Sequence, residues 1–286
     1  KLTLKNVDVD PKTIQLRLQG TSLSWTMENA RYATIKKTPT FYAPAPLTMT
    51  AASGVSELYR WSGLIASPTA LRVDPGATLA FRQVGSLVDP APGKQLYFDH
   101  PNGNTADINN GTLQMDFAGV VFNTGMTPSV TGGVVTEGFV VRNGGLLALS
   151  GSEGSMASTA VDLRGSMLVD SSTLTLGARN LLTINNSLHL SDAMVSLAHD
   201  ASIIVDDLTV LDGTNTISTT APLAGVRTAG FRSALELFDS SAELNVTGSG
   251  DFYANTVVLM NGGMLNLEMD PGEGQFVIES GIITGG

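Results

Sequence analysis

Cysteine is missing from all 286 positions of the chain. That excludes disulfides, thiolate chemistry and cysteine-ligated zinc, and it fits export through a bacterial envelope. Long apolar runs are missing too, since none approaches the roughly 18 residues a helix needs to span a bilayer. Lysine and glutamate, both strong helix formers, are scarce and mostly isolated, and no stretch of a dozen residues carries a convincing 3.6-residue period. There is no signal peptide, and the chain opens in mid-pattern at LTLKNVDVD, as a mature or excised part of something larger would.

Positive charge runs short after residue 94. Residues 1–94 hold all six lysines and five arginines against six acids, whereas residues 95–286 hold five arginines against 20 acids. The first part therefore nets +5 and the second −15, within an overall charge of −10. Both tryptophans and three of the five tyrosines also fall in the first part. This divides the chain into a basic, aromatic- and proline-containing region, 1–94, and an acidic region, 95–286, with the boundary near GKQLYFDHPNGN.

What the chain has in quantity is turn formers, with 31 glycines and frequent Ser, Thr, Asn and Asp. Between Ser166 and Ile217 they punctuate three copies of one unit: SMLVDSSTLTL, SLHLSDAMVSL and DLTVLDGTNTI, about 21 residues from turn to turn. Each copy is an alternating apolar run, a polar turn and a second alternating run. A period of two marks a strand with one buried face. A unit of this size cannot bury that face alone, so neighbouring copies must stack on it.

The same layout recurs along the chain. Residues 1–26 alternate through Leu2, Leu4, Val7 and Val9, then Ile14, Leu16 and Leu18, then Leu23 and Trp25. LRVDPGATLAF, DINNGTLQM, FVVRNGGLLAL, LELFDSSAELNV, VVLMNGGMLNL and FVIESGIIT are further copies. Taking the first polar turn residue gives Asn143, Asp170, Ser191, Asp212, Asp239, Asn261 and Glu279, in steps of about 27, 21, 21, 27, 22 and 18. Loops of unequal length with strands in register predict a right-handed parallel β-helix. A hexapeptide left-handed helix needs a repeat that is not found, and propeller blades need about 40 residues and four strands each. Rungs at roughly 4.8 Å predict a rod of order 50–60 Å.

Three stretches depart from the repeat. Residues 27–68 break the alternation and gather Phe41, Tyr42, Pro44, Pro46, Tyr59 and Trp61. These aromatics either plug the end of a core or form an exposed platform for a glycan or partner. Residues 151–165 and 218–230 are mostly small and polar and read as loops.

Over residues 70–286, LRVDPGATLAF, MLVDSSTLTL, LTVLDGTNTI and FVVRNGGLLAL resemble the apolar-strand, Gly/Asn-turn, apolar-strand units of bacterial autotransporter passenger domains. The resemblance implies display at the cell surface or secretion through an outer membrane. It also implies adhesion, self-association or biofilm formation, with membrane contact only through a barrel absent from this fragment.

Chemistry is hard to find. The Gly-Asp-Ser-Gly motif of protease-like passengers is absent, and His100, His189 and His199 have no recognisable partners. His189, between Leu188 and Leu190, takes the outward face and is expected to be solvated. Asp206-Asp207, the one adjacent acidic pair, reads as the start of a turn. Asp8 and Asp10 share a face but lack the further oxygen ligands that calcium needs. No phosphate loop sits between strand and helix, and the dispersed lysines do not form a nucleic-acid groove.

The sequence thus predicts an extracellular adhesin module that is not an enzyme and needs no metal or cofactor. Its partners would be host glycans, glycosaminoglycans, matrix protein or a second copy, met through Lys36, Lys37, Tyr42, Tyr59, Arg60 and Trp61. The alternative is a β-helical polysaccharide lyase or glycoside hydrolase, which places acidic or basic groups on neighbouring rungs.

Overall fold

In the computed structural model the chain is an all-β parallel solenoid. Residues 1–9, 17–18, 22–33, 40–41, 46–59, 63–65, 68–82, 96–98, 100, 103–116, 119–124, 129–131, 134–136, 138–150, 159–198, 201–219, 227–238, 240–270, 274–279 and 283–285 are described.

Each coil has three strands. In one coil Met167–Asp170 lies on the first face, Thr173–Leu176 on the second, and the start of Leu181–Ser191 on the third. The chain then returns to the first face one rung on, where Met167 sits opposite Leu188. Along the first face twelve described strands pair in parallel from Leu2–Lys5 to Ile283–Gly285. At a rung spacing of ~4.8 Å that makes a rod about 50 Å long. The second face is an 11-stranded sheet. The third runs from Gly63–Ile65 to Gln275–Ile278.

First and third faces merge into one 17-stranded sheet. Four long strands, Leu181–Ser191, Ser202–Asp212, Arg227–Leu237 and Asp251–Leu259, run through the corner between them. Register shifts mark the bend, as at Ile184/Ser187 and Val205/Asp207. An extra residue at such a shift turns a strand without ending its pairing.

The corner from first to second face is sharper, and the sequence supplies residues for it. Asn6, Asn29, Asn110, Asn143, Ser171 and Asp192 all have positive φ there, as does Gly213. Asn, Asp and Gly tolerate this left-handed backbone best. A small residue follows inside the bend, as Ala30, Ala77, Ser172 and Ala193, each buried. Gly145 fills that place in one coil, where a Cβ would stand 2.7 Å from the Ile108 carbonyl oxygen.

Alternation then fills the interior. Phe81, Phe98, Phe122 and Phe139 form a run of ring contacts with centroids 6.1, 5.2 and 5.5 Å apart, each worth about 0.5–1.5 kcal/mol beyond burial. Buried asparagines brace the corners. Asn180 donates from Nδ2 to the Leu149 carbonyl at 2.8 Å and accepts from the Thr159 amide at 2.8 Å. Asn104 and Asn215 do the same work elsewhere.

Several expectations need correction. Each coil has three strands where the repeat suggested two. Residues 46–59 are regular coil, since Leu47–Ser53 and Val55–Tyr59 pair in register with Thr69–Val73 and Thr78–Arg82. Small residues such as Ala51 weaken the apolar alternation there yet fit a buried position. The assignment of 151–165 and 218–230 to loops fails where strands lie, since Ala160–Arg164 and the first residues of Arg227–Leu237 are third-face strands; residues 151–158 and 220–226 lie outside the described residues. Glu279 follows a third-face strand and so does not occupy the first corner. Ser129–Thr131 and Val134–Thr136 pair antiparallel, a hairpin inserted between coils.

Candidate functional site

Lys36, Lys37, Tyr42, Arg60 and Trp61 lie outside the described residues. Tyr59 ends the strand Val55–Tyr59, its backbone opposite Ala33 on one side and Arg82 on the other. That strand also lines a shallow groove of about 430 Å³ with Asn6, Val7, Asn29, Ala30, Arg31 and Glu57.

The groove is built by three successive corners. Asn6 and Asn29 turn the first two with φ of 51° and 46°, and Asn29 Nδ2 donates to Asn6 Oδ1 at 3.2 Å. Backbone bonds fix the floor, with Arg31 N donating to Val7 O and Glu57 N to Ala30 O, both at 2.9 Å. Val7 and Val55, 41% and 49% exposed, give it apolar surface. The Glu57 carboxylate accepts from Arg82 Nε at 2.6 Å. Nearby, Lys5 meets Glu28 at 2.7 Å, and this hydrogen bond, aided by the opposite charge, raises the Lys5 pKa. Amide, guanidinium and exposed valine side chains together suit a polar ligand with apolar patches, as a sugar is. Sequence reasoning missed Asn6, Asn29 and Arg31. The signal was an Asn directly after an alternating run, in LTLKN and SWTMEN.

His189 is not solvated. It points outward as alternation requires, but it is 4% exposed, and among the described residues neither ring nitrogen has a hydrogen-bond partner. Its rung neighbours are Leu168 and Thr209, and Thr209 is itself 5% exposed. Burial lowers its pKa. Outward direction on this stretch of the first face does not mean contact with water.

Asp206 and Asp207 lie within the strand Ser202–Asp212, at its bend, and do not begin a turn. Asp206 pairs with Arg232 at 3.3 Å. Asp207 accepts from the Ala234 amide at 3.2 Å, and its charge, after burial, helps to raise the Glu236 pKa. Both carboxylates are thus engaged with structural partners. Asp8 starts a short strand, and Asp10 and His199 lie outside the described residues. Among the described residues no three His, Asp or Glu side chains cluster as metal ligands would.

No known family matches the chain, and no curated protein or solved structure does either.

Proposed function

We propose that this chain is a stiff adhesive module displayed on or released from a bacterial surface, of the autotransporter-passenger kind. The observation that carries the reading is the unbroken first-face ladder from Leu2 to Gly285, joined to a charge bias that puts all the lysines in residues 1–94. A solenoid of stacked coils is a long scaffold whose faces and loops are available for contact. Its basic end offers the corner groove and, in the sequence beside it, Lys36, Lys37, Tyr42, Tyr59, Arg60 and Trp61. Cations and aromatic rings suit an anionic glycan, a glycosaminoglycan or a matrix protein.

A glycan array tests this directly. Saturable binding to sulfated or carboxylated glycans, weakened by added salt, is the expected result. Tyr42→Ala, Tyr59→Ala and Trp61→Ala should each weaken it while leaving the melting temperature in place. Silence on the array together with depolymerisation of an acidic polysaccharide would replace this reading with the lyase or hydrolase.

A further inference from the structure

Two outward columns of the second face are free of charge. Its outward positions alternate with buried ones, so Thr173, Thr175, Met194, Ser196, Thr216 and Ser218 stand outside the core over three rungs. Their register is direct, with Thr173 opposite Met194 opposite Thr216, and Thr175 opposite Ser196 opposite Ser218. The same two columns continue to Leu146 and Ala148 on one side and to Asn245 and Thr247 on the other. No formal charge occurs in either column across these five rungs. The first and third faces at this level carry Arg142, Asp170, Asp207, Glu236, Asp162 and Asp251. Within an acidic stretch of five arginines against 20 acids, these two columns stay neutral, and charge on this face returns only beside them, at Glu243 opposite Thr214, and beyond their ends, at Asp116 and Glu268.

We propose that this strip of the second face binds a neutral, extended polysaccharide lying along the rod. Rows about 4.8 Å apart and columns about 6.6 Å apart make a flat lattice, close in pitch to the residues of an extended glycan. The side-chain hydroxyls of Thr173, Thr175 and Thr216 have no hydrogen-bond partner among the described residues, and Ser196 and Ser218 have only long contacts, 3.4 Å to each other and 3.5 Å from Ser218 Oγ to the Val195 carbonyl. They are therefore free to exchange hydrogen bonds with sugar hydroxyls, while threonine methyls, Ala148 and the half-exposed Met194 meet the C–H faces. Charge selects the occupant. An anionic glycan finds no cation on the strip, and of the nearby arginines Arg142, Arg164 and Arg232 are paired with Asp107, Asp162 and Asp206. A second copy of the chain would bring its own acidic flanks within a Debye length of about 8 Å of these flanks. A neutral polymer incurs neither penalty.

The inference rests on the glycan-binding reading but uses another surface, so the two fail separately. Co-sedimentation of the whole chain with insoluble cellulose, β-1,3-glucan and chitin, at low and at high salt, is the test. Binding that salt leaves unchanged, reduced roughly tenfold or more by Thr175→Glu with Thr216→Glu, is expected. Thr175→Ala with Thr216→Ala keeps the face flat and should give a smaller loss with an unchanged melting temperature. Tyr42→Ala and Trp61→Ala should leave this binding intact even where they abolish binding on the array. Failure to sediment with any of the three polymers overturns the proposal. So does sedimentation unaffected by either double variant, or concentration-dependent dimers in the ultracentrifuge that the glutamates abolish without any polysaccharide binding.

Discussion

Arg142 clasps Asp107 across 35 residues of sequence, with Nε 2.8 Å from Oδ1 and Nη2 2.9 Å from Oδ2. The pair joins adjacent coils on the first face, Asn109 lying opposite Arg142 in the ladder. Its hydrogen bond is the main cause of the raised Arg142 pKa. The side chains are 40% and 41% exposed, so solvent screens most of the attraction. Arg142→Gln is expected to cost about 0.5–1 kcal/mol, less in high salt. A double-mutant cycle with Asp107→Asn, read by urea denaturation, checks both figures.

His189 should make the rod acid-sensitive. Burial holds its pKa below the ordinary value, so the folded chain binds fewer protons there than the unfolded one. The resulting stability is complete above the unfolded-state pKa of about 6.5 and is lost as pH falls below it. His189→Leu replaces an imidazole whose nitrogens have no partner among the described residues by an apolar group, so neutral or higher stability near pH 7 is expected. Its melting temperature should fall less between pH 7 and pH 5 than that of the natural chain. Parallel pH profiles for the two proteins would show that the imidazole is solvated.

Asn180 is buried at 1% exposure and serves two backbone groups, Leu149 O and Thr159 N. Asn180→Leu takes the Oδ1 acceptor from the buried Thr159 amide, while Leu149 O keeps its bond from the Gly177 amide at 2.8 Å. A loss of roughly 1–3 kcal/mol follows from one buried amide deprived of its acceptor. Hydrogen exchange should show it locally, as faster exchange at Thr159, before any global change in melting.

The first-to-second corner predicts opposite signs for two small substitutions. Ser171 holds φ at 48°, so Ser171→Gly relieves a left-handed backbone and should stabilise by up to about 1 kcal/mol. Gly145→Ala drives a Cβ against the Ile108 carbonyl and should destabilise by about 1–3 kcal/mol. Chemical denaturation of the two variants side by side reads the contrast.

The first two strands of each coil were legible because a short corner keeps them in phase: Met167–Asp170 and Thr173–Leu176 are two residues apart. The third strand was not, because a variable connection precedes it and its outer side carries apolar residues such as Ile204, which blur the period in SIIV. His189 shows a second limit. Alternation gives the direction of a side chain, while its exposure depends on what the other coils place around it. The neutral strip was hidden for a related reason. Thr175, Ser196 and Ser218 are 21 or 22 residues apart in sequence, and only the register makes them neighbours.

That same corner gives the rod a tolerance to new material. Between second and third strands the chain uses 13 residues after Thr78–Arg82 but four after Thr173–Leu176, yet both coils resume the same ladders. The described coils reset their phase at corner residues such as Asn110 and Ser171, so a length change upstream does not propagate. The second-to-third connections thus work as interchangeable sockets on a rack. Segments there can be lengthened, shortened or exchanged between coils, and the faces they flank keep their register.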